Sequence, residues 1–136
     1  MNTDTKGKTK ITIEYPLTTK SAGIVWQMIG NAHGLEKWMA DHVETDQDTI
    51  TFTWGEPWTE QDIRKSVILQ SDEKHLLRLR WEENSDEDYW ELRIEKSEFS
   101  GSLSLIITDH VTPDEEQDVK DLWHNSLSRL HAASGL

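Results

Sequence analysis

Three residues that flank one short segment have side chains of the types that can bind metals or transfer protons. His33 precedes the segment "GLEKWMA", and Asp41 and His42 follow it. Two imidazoles and a carboxylate are a ligand set suited to zinc or iron. However, Asp41 and His42 are adjacent at the expected start of a strand, so their side chains should point to opposite faces. We therefore expect solvated corner residues here and no metal site.

A second group could act as an acid–base pair. Asp109 and His110 end a predicted strand, and His124 lies on the predicted terminal helix. A carboxylate and an imidazole near a cavity mouth could transfer a proton. The alternative is a surface pair in which Asp109 accepts hydrogen bonds from backbone amides. We assign no catalytic residue, and an enzyme that uses Asp109 or His124 stays an alternative.

Serines form a third crowded region between residues 97 and 104. None of them stands in the G-x-S-x-G sequence that exposes a nucleophilic serine on a sharp turn. The pattern therefore indicates turn and strand composition, and it does not favour hydrolase chemistry.

Net charge disfavours two classes of partner. The chain has 26 Asp and Glu against 14 Lys and Arg, a formal charge of −12. Nucleic acids and anionic membrane surfaces are bound through clustered Lys and Arg, so we expect neither. Residues 82–88 and 114–118 are acidic clusters. We interpret them as a solvated loop and a helix start, with a docking surface for a basic partner protein as the alternative.

The length and the cysteine count indicate one domain in a reducing compartment. A chain of 136 residues suffices for one core. The absence of cysteine excludes disulfides and thiolate metal sites and suits the cytoplasm, where we expect the protein. Residues 1–8 are polar and lack the apolar segment of a secretory signal. No apolar run approaches the ~18 residues of a membrane span.

Hydrophobic alternation predicts an antiparallel sheet of six or seven strands. The first strand places Ile11, Ile13 and Tyr15 on one face. Two short helices follow, in "KSAGIVWQMI" and "GLEKWMA", and Thr18 or Thr19 is expected to cap the first. Five later segments alternate similarly, the second of them imperfectly, with the apolar sets Ile50, Phe52 and Trp54; Ile63, Val67 and Leu69; Leu77, Leu79 and Trp81; Trp90, Leu92 and Ile94; Leu103, Leu105 and Ile107.

The last segment predicts a long amphipathic helix. Thr112, Pro113 and Glu115 form the pattern of a capping box with proline at the first helical position. The helix is expected to run to about His131. Its apolar stripe comprises Val119, Leu122, Trp123, Ser126, Leu127 and Leu130.

The order of these elements resembles the helix-grip fold of START-like (SRPBCC) domains. Within "VWQMIGNAHGLEKWMADHV", Trp26, Leu35, Trp38 and Met39 match a pattern of the activator-of-heat-shock-ATPase homologues. The chain is also similar to a compact bacterial START-like group. That similarity rests on Trp54, on the strands "RLRWEE" and "LIITDH", and on the pair Leu122 and Trp123.

The resemblance implies an α+β fold in which a curved antiparallel sheet wraps around the long C-terminal helix, with two short helices after strand 1. Residues 9–136 would form this single START-like domain, preceded by a flexible segment of residues 1–8. The interior of relatives holds hydrophobic ligands or is filled by side chains. We therefore expect a non-catalytic protein that binds a lipid or a polycyclic ligand in a tryptophan-rich cavity. Its predicted lining is Trp38, Phe52, Trp54, Leu79, Trp81, Trp90, Leu105, Ile107, Trp123 and Leu127.

Several alternatives stay open at this point. The tryptophans could serve core packing alone. Arg78, Arg80 and Arg93 are expected to face solvent and pair with acids, but one that pointed inward would anchor a ligand carboxylate. The resemblance also allows a protein-interaction or chaperone-accessory module of the activator-homologue type, or a cyclase-like enzyme. We expect no cofactor, and the sequence leaves open whether the protein is a monomer or a homodimer.

Overall fold

The computed structural model describes residues 8–83 and 88–136. The expected flexible segment 1–8 therefore lies outside the described residues except for Lys8, as do residues 84–87 of the first acidic cluster. The described elements are β1 (Thr9–Pro16), α1 (Ala22–Ile29), α2 (Ala32–Glu36), β2 (His42–Asp46), β3 (Thr49–Trp54), β4 (Asp62–Asp72), β5 (Leu76–Trp81), β6 (Trp90–Lys96), β7 (Leu103–Val111) and α3 (Glu116–Ser134).

The seven strands form one antiparallel sheet in the order β1-β7-β6-β5-β4-β3-β2. Chain neighbours from β2 to β7 pair in sequence, and β1 closes the order by pairing with β7. The sheet is curved, and the long C-terminal helix packs in it, which confirms the predicted α+β architecture. Alternate residues of each strand face the core or the outside, because successive side chains of a strand point to opposite faces.

The two short helices cover one end of the core. The α1 cap is Ser21, whose hydroxyl accepts the Ile24 N–H at 3.3 Å, so the expected cap at Thr18 or Thr19 was wrong. Thr19 instead accepts the Ser21 N–H at 3.0 Å, which holds the residue that caps. At Gly34 the backbone of α1 approaches closely, because a Cβ there would lie 1.9 Å from the Gln27 carbonyl oxygen.

Helix α3 fills the inner side of the sheet. A 3₁₀ turn at Pro113–Glu115 precedes it, and Glu115 Oε1 accepts the Thr112 N–H at 3.4 Å. The helix ends at Gly135, whose φ of 76° is the left-handed conformation that glycine adopts without strain. Most of its predicted stripe is buried, but Leu122 is 64% exposed. No described helix is long and apolar enough to cross a membrane.

Strand β4 reverses the face that its apolar residues predicted. Ile63 is 60% exposed and Leu69 is 43% exposed. The inner face instead carries Arg64 and Ser66, which pair with Phe52 and Ile50 of β3 in the ladder. A register shift between Ile68 and Gln70 then moves the later residues of the strand. The expectation that Ile63, Val67 and Leu69 supply the apolar, inward face of β4 was therefore wrong.

Candidate functional site

Four tryptophans form a continuous row at one end of the sheet. Trp54, Trp81 and Trp90 lie at the adjacent ends of β3, β5 and β6. Neighbouring ring centroids are 6.5 Å apart from Trp54 to Trp81 and 5.3 Å apart from Trp81 to Trp90. Trp123 of α3 continues the row at 5.9 Å from Trp90. Phe52 packs against the first three indoles, with centroid distances of 5.6 to 6.0 Å.

Hydrogen bonds fix the orientation of three of these rings. Trp54 Nε1 donates to the Met39 carbonyl at 2.9 Å, and Trp90 Nε1 donates to Ser66 Oγ at 3.3 Å. Trp123 Nε1 donates to the carboxylate of Asp109 at 2.9 Å. Buried indole N–H groups need such partners. These hydrogen bonds anchor the row to Met39 in the turn after α2, to β4 and to β7, so the row is a rigid surface.

A cavity of about 840 Å³ lies between the three tryptophans of the sheet and α3, which contributes Trp123. Its volume falls within the ~300–1,000 Å³ of small-molecule sites. The apolar lining is Met39, Trp54, Trp81, Trp90, Val119, Leu122 and Trp123. The polar lining is Lys8, Asp62, Arg64, Glu83, Asp88, Tyr89, Asp109, His110, Glu115, Asn125, Ser126 and Arg129.

The structure divides the ten residues that the sequence predicted as lining into two groups. Trp54, Trp81, Trp90 and Trp123 lie on the cavity wall. The other six are packed inside the core, each at most 3% exposed, because α1, α2 and α3 cover that part of the inner face: Trp38, Phe52, Leu79, Leu105, Ile107 and Leu127. The cavity is thus confined to the end of the groove that the tryptophan row borders.

Asp109 is a carboxylic acid that faces the cavity from β7. One carboxylate oxygen accepts the Trp123 indole N–H, and the other accepts the His110 backbone N–H at 2.8 Å. Burial raises the pKa of the Asp109 carboxyl above its ordinary value, although both hydrogen bonds and the nearby His110 and Lys8 act in the opposite direction. A carboxyl in this setting can hold or release a proton close to a bound molecule.

Arg64 presents a guanidinium to the same cavity from β4. Its Cζ atom lies 4.0 Å from the centroid of the Trp81 ring, a cation–π contact. Its Nη2 donates to Glu83 Oε2 at 2.6 Å, and its Nε approaches Glu83 Oε1 at 3.5 Å. The Arg64 side chain is 33% exposed and that of Glu83 is 57% exposed. The acid therefore lies nearer the solvent than the cation that it pairs with.

The outward arginines form a separate cluster on the other face of the sheet. Arg78 and Arg93 both donate to the carboxylate of Glu91, through Nε atoms at 2.7 and 3.1 Å. Arg78 also lies 4.3 Å over the Tyr89 ring. Glu91 is only 3% exposed, so the arginine side chains cover it. Arg80 Nε is buried and has no hydrogen-bond partner among residues 8–83 and 88–136.

The residues at the start of the sheet hold a loop in place. Asp41 accepts the Gly55 N–H at 2.6 Å, and His42 Nε2 lies 3.6 Å from Glu56 Oε1. These contacts secure the β3–β4 loop beside the cavity. His33 is exposed on α2. Within residues 8–83 and 88–136, no three His, Asp or Glu side chains are grouped as metal ligands.

The remaining predicted acid–base and nucleophile residues are separated from the cavity. His124 lies on the exposed side of α3, so it does not approach Asp109. Ser97 Oγ accepts the N–H groups of Phe99 and Ser100, at 3.2 and 3.4 Å, as a turn residue does. Asp109 and His110 are thus the two members of these groups that line the cavity with the tryptophans.

Sequence reasoning missed most of the polar lining, above all Arg64. The hydrophobic pattern of β4 concealed it, because the apolar residues of that strand lie on the outer face. One signal was available: Arg64, Ser66 and Ile68 have the same parity, and each would lie beside an inward aromatic or aliphatic residue of β3 and β5. No such pattern identifies Lys8, Asp62 and Arg129 as lining residues, because charged residues are equally common at ordinary surface positions.

Comparisons with known proteins agree with this fold. The model of the START-like superfamily domain matches residues 5–136. The chain belongs to the START-like superfamily. Among curated proteins, none matches it.

Solved structures with this START-like fold include a Bacteroides fragilis protein studied by NMR, 37% identical over 93% of this chain and 90% of that one, with a TM-score of 0.62. The Aha1 dimer from Colwellia psychrerythraea has 14% identity, coverage of 93% and 96%, and a TM-score of 0.69. A putative protein in the dynemicin biosynthetic locus has 14% identity and a TM-score of 0.71, and this chain, aligned over 93% of its length, covers 48% of it. The last two similarities concern the fold alone.

Proposed function

We propose that this START-like protein binds a small, flat, largely apolar ligand in the cavity between the tryptophan row and α3, without chemical conversion. The observation that carries the proposal is a cavity of about 840 Å³ bordered by four indoles. Indole edges on a cavity wall favour planar aromatic ligands, because edge-to-face ring contacts add roughly 0.5–1.5 kcal/mol per pair beyond the area that they bury.

A small residue in the helix stripe supports the same proposal. Ser126 is 8% exposed and lies among the buried residues Trp123, Leu127 and Leu130 of α3. A large apolar side chain at this position would enter the cavity, which Ser126 lines. The helix thus leaves space where the remainder of its stripe fills space.

The test is a cavity-filling variant with a matched control. We expect the neutral fluorophore N-phenyl-1-naphthylamine to bind the wild-type protein and to gain fluorescence as it leaves water. Ser126→Phe should weaken that binding about tenfold or more, a change of roughly 1.4 kcal/mol or above. Ser128→Phe places the same ring on the exposed side of α3 and should leave binding unchanged. Equal binding by the two variants, or none by the wild type, would refute the proposal.

A protein-interaction module is the second candidate, because one loop exposes a large aromatic residue. Trp58, in the β3–β4 loop, is 80% exposed, and the half-buried Glu56 and the exposed Glu60 flank it. An aromatic side chain among acids suits a partner surface with apolar and basic groups. We expect Trp58→Ala to abolish capture of such a partner in pull-downs from the source organism. Capture that persists unchanged in this variant would remove Trp58 from the account.

A further inference from the structure

The guanidinium of Arg64 lines the cavity and could bind an anionic group of a ligand. We propose that the cavity recognises an apolar molecule that bears a carboxylate, that Arg64 binds this carboxylate, and that Glu83 occupies the same position when the cavity is empty. This inference rests on the proposed function, since it names the chemical class of the ligand in the same cavity.

The contact between Arg64 and Glu83 already has the geometry of carboxylate recognition. The guanidinium lies over Trp81, with Cζ 4.0 Å from the ring centroid, and its Nε and Nη2 edge faces both carboxylate oxygens of Glu83. Arginine binds carboxylates through this edge, and a ring beneath the guanidinium fixes its plane. Glu83 therefore occupies the place that a ligand carboxylate would take.

Glu83 can leave this position at small cost. Its side chain is 57% exposed, so the released carboxylate returns to water. Exposed arginine–carboxylate pairs contribute little to the stability of a folded protein. A ligand that adds burial of an apolar body against the tryptophan row can supply more than this.

The other cations of the cavity are engaged differently. Lys8 lies 3.5 Å from the carboxylate of Asp88, and Arg129 Nη2 donates to Ser126 Oγ at 3.4 Å. Neither of them stacks on an indole of the row among the described contacts. Arg64 is thus the cation that the tryptophan row orients.

A cationic ligand fits the cavity less well, although its lining has more acids than cations. A cation binds best over the face of a tryptophan. Arg64 covers one face of Trp81, and Trp90 stacks against the ring at 5.3 Å and 25°. Trp90 and Trp123 are 1% and 7% exposed, so their faces are covered as well. Salt largely screens the repulsion between a bound anion and exposed acids that lie more than about 8 Å from it.

Matched probes separate carboxylate recognition from apolar binding. Calorimetry at neutral pH and physiological salt compares 2-naphthoate with 2-naphthamide, which has nearly the same shape and no charge. We expect the wild type to bind naphthoate more tightly than naphthamide. Glu83→Gln should raise naphthoate affinity by up to about fivefold, and Arg64→Gln should lower it by about tenfold or more. Naphthamide affinity should stay the same in both variants.

The controls are Lys65 of β4 and Glu82, which follows β5 and precedes Glu83. Lys65 and Glu82 are exposed neighbours of Arg64 and Glu83, and the Glu82 N–H donates to the Lys65 carbonyl at 2.7 Å. Lys65→Gln and Glu82→Gln make the same charge changes outside the cavity and should alter neither affinity.

The outcomes distinguish this inference from the proposed function. Binding of the neutral fluorophore and of naphthamide without a preference for naphthoate would overturn the role of Arg64 and leave the apolar cavity intact. If Glu83→Gln does not increase naphthoate affinity, Glu83 does not compete with the ligand carboxylate for Arg64. This measurement decides the point even if Arg64→Gln does not fold. No binding of any probe by the wild type would overturn both proposals.

Discussion

The two faces of one sheet hold arginine–carboxylate contacts of opposite character. On the outer face, Glu91 is 3% exposed and accepts hydrogen bonds from Arg78 and Arg93. On the inner face, Arg64 holds Glu83, whose side chain is 57% exposed. Two arginines share the buried carboxylate of Glu91. The exposed carboxylate of Glu83 contacts one arginine, Arg64, whose side chain is less exposed than that of Glu83.

This difference indicates which contact is available to a ligand. Removing a partner from a buried pair leaves a desolvated charge, so such pairs persist in the folded protein. An exposed carboxylate recovers its hydration when it leaves. The outer contact therefore stabilises the sheet, and the inner contact can be exchanged. Stability and binding measurements on the two sites can test this division.

The largest expected effect is at the outer site. Glu91→Ala should lower the free energy of unfolding by about 2–3 kcal/mol, because the charge-assisted hydrogen bonds from Arg78 and Arg93 are lost together. Urea unfolding with an unchanged m value measures it. Glu95→Ala, at the outward position of β6 that follows Arg93, is exposed and should change stability by less than about 0.5 kcal/mol. Equal losses for the two variants would remove the distinction of Glu91.

A smaller effect is expected at Asp109, and it depends on pH. Burial raises the pKa of this carboxyl in the folded state, so the folded protein holds a proton that the unfolded chain has already released. Its contribution to stability is complete below the unfolded pKa and decreases as pH rises through the folded pKa. Asp109→Asn cannot titrate. The stability of this variant relative to wild type should therefore increase from about pH 4 towards neutrality.

The pH series of urea unfolding curves has a clear contrary result. The remaining carboxyl groups cancel in the difference between Asp109→Asn and wild type, so only the slope of that difference matters. A difference that stays constant with pH would show that the folded and unfolded pKa values of Asp109 are equal.

The smallest effect on stability is expected at the inner contact. Glu83→Gln should lower the free energy of unfolding by no more than about 1 kcal/mol, because the pair is partly solvated. The same urea experiment measures it beside Glu91→Ala. A loss as large as that of Glu91→Ala would mean that Glu83 is structural and cannot yield its place to a ligand.

The fold could be predicted from the sequence because five strands and the terminal helix have regular hydrophobic patterns. The inward sets of β3, β5, β6 and β7 are those that alternation predicted. The 3₁₀ turn that leads into α3 begins beside Thr112, and Gly135 caps the end of the helix. Strand β4 could not be predicted in this way. Its inner face needs Ser66 to accept the Trp90 indole N–H and brings Arg64 over Trp81, so polar residues occupy positions that are usually apolar.

The sequence predicted a tryptophan-rich inner surface, but it did not predict which part of that surface borders the cavity. Of the ten residues predicted to line a ligand cavity, the four that border the cavity are all tryptophans of the row, and ligand binding by any of the ten stays a prediction. Periodicity identifies the side chains that face inward, but it contains no information about which of them the helices cover. Leu79 and Trp81 lie on the same face of β5, yet only Trp81 reaches the cavity. That distinction depends on where α3 crosses the sheet.

Native mass spectrometry of the protein purified from its source organism tests the binding of a ligand most directly. We predict a species heavier than the bare chain by the mass of a small organic molecule, and release of that molecule as an acid on denaturation. The Ser126→Phe variant, purified identically, should show the bare chain. A wild-type protein that carries no added mass, together with failure to bind the neutral fluorophore, would contradict the account.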